Sequence, residues 1–196
     1  MRSARQFALA VLAALCPGCA LFVSVPPLTP LPKPRAVLRD VAYTPQETDW
    51  DCGPASLTTV MRYYGSRITL PEVKKQLKRA ADGGTIVVEM LYGARKNGFP
   101  IRMYEGGIND LRGKVLDGKP LILMLRPMPD IPGLPGRRRA HYVVAVGYDD
   151  REREAIIHSD KTAFARMSYR QLQLQWRRTK FLTLLVGRRP TRPAER

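Results

Sequence analysis

The sequence predicts an α+β domain, with N-terminal helices packed on a mostly antiparallel sheet. Three observations predict it. Apolar residues recur at helical spacing between Pro54 and Lys96, and glycines close the runs. Beyond Pro100 the pattern changes to short β-prone runs, the strongest being Tyr142 to Tyr148, Tyr-Val-Val-Ala-Val-Gly-Tyr. The turn at Asp149 to Arg153 then returns the chain into Ala155 to His158, a hairpin and so an antiparallel pair.

Taken in order, Val37, Leu38, Val41 and Tyr43 predict a short strand that ends at Pro45. Pro54 opens a helix through about Tyr64, because a proline is tolerated in a first turn. Leu57, Val60, Met61 and Tyr64 share one face of that helix, and Gly65 ends it. A second helix is expected over Pro71 to Ala81 and a third over about Thr85 to Lys96, with Gly83-Gly84 and Gly98 as punctuation. Pro100 to Tyr104 and Leu121 to Leu125 read as strands around a short helix at Asn109 to Leu116. Arg126 to Arg139 is a Pro/Gly/Arg loop, placed either to cover a cleft or to be ordinary mobile surface. Ser168 with Gln171 has the pattern of a capping box and introduces a helix through Arg177. Phe181 to Val186 closes the domain as a last strand, and there is no internal repeat.

Hydrophobic residues make up 44% of the 196 and charged residues 26%, which excludes a disordered or multi-span chain. The net charge of +16 draws the chain to anionic surfaces or acidic peptides. Apart from Arg137-Arg138-Arg139 and a tail with Arg188, Arg189, Arg192 and Arg196, the basic residues are scattered. No aromatic-rich basic stripe or zinc-finger spacing accompanies them, so nucleic acid is not the expected partner.

The N-terminus reads as an export signal. Arg2 and Arg5 precede an apolar run, Phe7 to Leu15, and then Cys16-Pro17-Gly18-Cys19. Gly18-Cys19 resembles the site at which bacterial lipoproteins are cut and lipidated, which makes Cys19 the expected lipidation site. An uncleaved anchor is the alternative, with Pro17-Gly18 in its middle. The expected division is a signal over 1–19, a Pro-rich tether over 20–35, a folded domain over 36–187 and a basic tail over 188–196. Five prolines between Val25 and Pro34 make the tether an extended spacer. The expected location is the cell envelope, lipid-anchored on the periplasmic side. With Cys16 removed and Cys19 lipidated, Cys52 has no disulfide partner in its own chain. Such a cysteine is paired between chains, functional, or a buried small hydrophobe.

The chemistry concentrates in two stretches. In Gln46-Glu47-Thr48-Asp49-Trp50-Asp51-Cys52-Gly53-Pro54, Cys52 falls at a helix mouth, where the dipole favours thiolate over thiol. Gly53 is expected to let substrate and backbone approach closely. Gln46 is placed to fold back and offer a side-chain amide which, with the Cys52 N–H, would hold an oxyanion. Trp50 is expected either to line the cleft or to anchor the loop. In the second stretch His141 opens the β-prone run, the rigid placement a general base needs. Asp160, in His158-Ser159-Asp160, ends the hairpin's return strand and is the expected group to orient the imidazole. Asp149 and Asp150 are the alternatives for that role, and Asp160 as a turn residue is the other reading of that position.

Gln46, Asp51-Cys52-Gly53-Pro54-Ala55-Ser56-Leu57, His141-Tyr142-Val143-Val144 and Gly147-Tyr148-Asp149 together resemble the bacteriocin-processing, double-glycine-leader cysteine peptidases of the papain-like group. The likeness runs from about Tyr43 to about Val186. It implies a papain-like fold, with Gln46 in the oxyanion hole, Cys52 as nucleophile, His141 as base and Asp160 as orienter. It also implies a peptide substrate cut after small residues. The chain departs from that family's transporter-fused members: it has no transporter segment and no phosphate-binding Gly-x-x-x-x-Gly-Lys loop, and it carries its own export signal. Asp160 is followed by Lys161, where the family has proline. The likeness is closer to free-standing bacterial lipoproteins that carry the same domain.

The expected activity is therefore hydrolysis of a peptide bond by a thiol, with no cofactor and no metal. The same thiol could pass its acyl group to an amine. The fold could also serve as a silent peptide-binding module, or the charge alone could make a membrane-surface adaptor.

Overall fold

The computed structural model describes residues 24–77, 84–127 and 140–190. Three helices come first: α1 (Cys52–Tyr63), α2 (Leu70–Gln76) and α3 (Val87–Lys96). The seven strands are β1 (Arg35–Val37), β2 (Ile101–Glu105), β3 (Leu121–Leu125), β4 (His141–Asp149), β5 (Glu154–Ser159), β6 (Thr162–Ser168) and β7 (Leu182–Val186). Two more helices interrupt them, α4 (Ile108–Leu116) and α5 (Tyr169–Trp176). The sheet order is β2-β7-β3-β4-β5-β6, and all the pairings are antiparallel. β1 continues along the same edge of β4 that β3 leaves, pairing Val37 with Gly147 after β3 has paired Leu121 with Ala145.

β4 is the centre of the molecule, with all nine residues buried. Its alternating side chains feed two cores. Tyr142, Val144 and Val146 join Leu57, Val60 and Met61 of α1 on one face. Val143 and Ala145 join Leu111 of α4 and Leu172 and Trp176 of α5 on the other. A register shift between Ala145 and Gly147 breaks the alternation and turns Tyr148 into the second core.

The helix α1 begins two residues earlier than Pro54. Proline at its third position removes an N–H that has no intrahelical acceptor there, so the helix runs back to Cys52 without loss. Its C-terminus is a Schellman motif: Gly65 at φ 88° donates to Arg62 O, and Ser66 donates to Met61 O at 3.0 Å. α2 is shorter than expected, because Leu77 leaves the helix in an extended conformation and packs against Gly93 of α3. The expected continuation to Ala81 lies outside the described residues. The strand expected over Val37–Tyr43 survives only as β1; Val41 N–H turns back to Leu38 O at 3.3 Å.

The proline-rich stretch before β1 lies along the domain. Asn109 accepts from Thr29 N–H and donates to Pro27 O, Arg112 donates to Thr29 O, and Tyr148 donates to Lys33 O. Val25, Leu28 and Leu31 pack onto the second core. These residues form a docked strap on the α4 face, in the stretch whose prolines predict an extended spacer. A buried network fastens the strap: Arg112, 2% exposed, makes two bonds to Asp150, which also takes the Tyr169 hydroxyl.

Candidate active site

Cys52 is the first residue of α1 and is buried. The N-cap residue, Asp51, makes no side-chain bond to the helix it precedes. Its carboxylate accepts instead from Thr48 N–H at 3.0 Å and from Lys74 Nζ at 2.9 Å. Burial alone would push the Asp51 carboxyl up; the bonds from Lys74 and Thr48 outweigh it and hold it below its ordinary value. Lys74, on α2, also reaches Glu47 at 2.7 Å, so one ammonium clamps both ends of the loop that delivers Cys52. Gly53 admits the close approach of neighbouring chain that is expected of it. A Cβ there would lie 2.9 Å from Thr85 Cβ and 3.2 Å from Met90 Sδ, so glycine lets α1 close onto α3. Trp50 is half-buried beside this loop.

On the sheet side, His141 is the first residue of β4 and is buried. Its Nε2 lies 3.2 Å from Asp160 Oδ1 and 3.1 Å from Ser159 Oγ. With a carboxylate as neighbour, Nε2 carries the proton and Nδ1 is left as the basic nitrogen of the neutral ring. The pairing of Val144 with His158 sets this meeting, since it brings the end of β5 level with the start of β4. Asp160 stands in the turn between β5 and β6 at φ 51°, and the Tyr43 hydroxyl donates to its backbone oxygen. Asp149 and Asp150 lie at the opposite end of β4 from His141, which opens the strand. Asp149 is taken by Arg35 and by the N–H groups of Arg151 and Glu152, and Asp150 by Arg112. Neither is near His141.

The second histidine plays another part. His158 Nε2 bonds Val41 O at 2.8 Å, and its Nδ1 accepts Phe164 N–H at 3.1 Å. Both nitrogens are thereby committed, which fixes the neutral Nε2–H form; burial holds its pKa below the ordinary value, against the bond to Val41.

Gln46, Cys52, Tyr142, His158, Ser159 and Asp160 share the walls of one narrow cavity. Of the residues singled out in the sequence, Gln46, Cys52 and Asp160 thus meet there, and His141 joins them through Asp160. Ser159, Tyr43 and Tyr142 were not among them. Their adjacency to reactive residues in sequence was the available signal. Cys19 and the stretch 128–139 lie outside the described residues. Among the described residues, no group of three or more His, Cys, Asp or Glu could hold a metal ion. No helix there is long and apolar enough to cross a membrane.

Known proteins give the arrangement its context. The family model described as the peptidase C39 family matches residues 40–186. The chain is similar to the peptidase domain of Streptococcus ComA, a bi-functional ABC transporter involved in a quorum-sensing pathway. That similarity is 25% identity over 76% of this chain and 98% of that one, with a TM-score of 0.57. A C39-like peptidase from Bacillus anthracis shares the fold at 15% identity, 80% and 99% coverage and a TM-score of 0.64. So does a double-glycine-motif protease from an AMS/PCAT transporter, solved in complex with the leader peptide, at 20% identity, 80% and 99% coverage and a TM-score of 0.56. No curated protein matches the chain. The family match spans the loop before Cys52, the helices and the strands from β2 through β7, and the chain belongs to the peptidase C39 family, thiol-dependent peptidases of papain-like fold.

Proposed function

We propose that this peptidase acts through Cys52 as nucleophile, His141 as base, Asp160 as orienting carboxylate and Gln46 as oxyanion donor. The observation that carries the reading is Asp160 on His141 Nε2 at 3.2 Å, within the cavity that Cys52 and Gln46 also line. In the reaction Nδ1 of His141 takes the thiol proton and the sulfur attacks the peptide carbonyl. The Cys52 N–H and the Gln46 amide hold the oxyanion. Collapse breaks the C–N bond, and the amine leaves with the proton from His141. Water, deprotonated by the same ring, then cleaves the thioester and restores the thiol. The helix N-terminus and the imidazolium both favour the thiolate that begins the cycle.

The substrate in this reading is an extended peptide with small residues at the cut. The leader-peptide complex of the double-glycine-motif protease supports that class. We further propose that the chain is exported and held at the envelope by a lipid on Cys19, a reading supported by Gly18-Cys19 behind a short apolar run.

Alkylation of Cys52 across pH, in the unaltered chain and in His141→Ala, tests the chemistry. The unaltered chain reacts well below the pH of a free thiol, and His141→Ala loses that advantage. Equal reactivity of the two at neutral pH would remove the dyad. Mass measurement of the mature N-terminus tests the anchor: a lipid-modified Cys19 supports it, and an intact Met1 rejects it.

A further inference from the structure

The cavity beside Cys52 holds two hydroxyls for which the proposed reaction has no use. Tyr142 Oη and Thr44 Oγ1 are buried without a hydrogen-bond partner, on residues 3% and 8% exposed. Native interiors rarely leave one such group unpaired, and two on residues that line one space mark where a small polar ligand belongs. They come from different elements. Tyr142 follows His141 on β4, and Thr44 lies two residues before Gln46; both line the space that Cys52 lines. The neighbouring polar groups are already engaged. Thr59 Oγ1 accepts Thr44 N–H, the Tyr43 hydroxyl goes to Asp160, and both nitrogens of His158 are bonded. The cavity volume is about 10 Å³, the room that a single water needs.

We propose that this space is a one-water site, in which Tyr142 and Thr44 hold a water whose O–H faces the Cys52 sulfur, and that Tyr142 is thereby a positioning residue for the thiolate. The inference rests on the thiol reading above. Tyr142, Thr44 and the sulfur give the water three partners, the usual number for a buried one. Burial raises the Tyr142 pKa and negative charge on Cys52 raises it further, so the phenol stays protonated and able to donate. Protons stay where they are: the water solvates the thiolate, and His141 remains the base.

The experiment compares iodoacetamide alkylation of Cys52 from pH 4 to 10 in the full chain, in Tyr142→Phe, in Thr44→Val and in the pair, with Cys52→Ser as the blank. Losing one hydrogen bond to a charged group slows alkylation at pH 6 by roughly tenfold in each single variant. The rates converge on that of the unaltered chain once the thiol is fully ionised. The pair is no slower than either single variant, because both hold the same water. Profiles that overlie that of the unaltered chain overturn the site, since deleting hydroxyls with no role leaves the thiol unchanged. Slowing by the same factor at every pH is a packing effect and overturns it too. An unaltered chain that ionises like an ordinary free thiol sinks the thiolate reading itself, which separates that failure from failure of the water site alone.

Discussion

Asp160→Asn tests how much charge the proposed triad needs. The Asp160 and His141 side chains approach to 3.2 Å, with 39% and 11% of their surfaces exposed. Coulomb attraction to an imidazolium at that distance is about 5 kcal/mol at an effective dielectric of 20, and about 1 kcal/mol in water. With more than a third of the carboxylate in solvent, screening places the pair near the lower end, about 1–2 kcal/mol. Asparagine is the clean replacement for two reasons. It tolerates the left-handed backbone of this turn, φ 51°, and its carbonyl still accepts from Nε2–H, so geometry is kept while charge is lost. Ser159 Oγ at 3.1 Å also continues to steady the ring. The expected result is a fall in kcat/KM of roughly 5- to 30-fold on a fluorogenic peptide with Gly-Gly before the cut. Melting temperature should move little. An unchanged rate, or a larger loss in Ser159→Ala than in Asp160→Asn, would refute the assignment of Asp160 as the charged partner.

Other expectations follow from packing and burial. Gly53→Ala drives a Cβ to 2.9 Å from Thr85, and such overpacking costs about 1–3 kcal/mol, read as a lowered Tm. Arg112→Met leaves the half-buried Asp150 without its guanidinium, at a cost of about 1–3 kcal/mol. Limited proteolysis should then cut within the strap, which stays protected in the unaltered chain. His158 is bound in its neutral form, with its folded pKa depressed. Its contribution is therefore complete above the unfolded value of about 6.5 and is lost as pH falls through the folded value. Urea midpoints should decline from pH 7.5 to 5, and the slope should be smaller in His158→Asn.

The elements that could be read from the sequence are those whose burial or punctuation leaves a local mark. β4 is buried on both faces and shows as an unbroken β-prone run, and α1 shows through Leu57, Val60 and Met61 with Gly65 behind them. β6 went unseen. Thr-Ala-Phe-Ala-Arg-Met-Ser is mostly exposed or half-buried and pairs with β5 alone, so neither alternation nor propensity betrays an edge strand of this kind. The settings of two candidate residues were legible: Cys52 at a helix mouth and His141 at a strand start. The choice among Asp149, Asp150 and Asp160 was not fixed by spacing along the chain. The register of Val144 against His158 sets which of them lies beside His141, and that register depends on two strands meeting. The parts played by Ser159 and Tyr142 depend on the same register.

The strap ends on the face of the sheet opposite the thiol, for Val25 and Leu28 pack with α4 while Cys52 belongs to the core under α1. The described chain therefore begins at the rear of the molecule, away from the cavity that Cys52 lines. A pull on that end would load β1 and the Arg112 fastening in shear along β4. Those bonds would resist together before any strain reached His141, at the far end of β4.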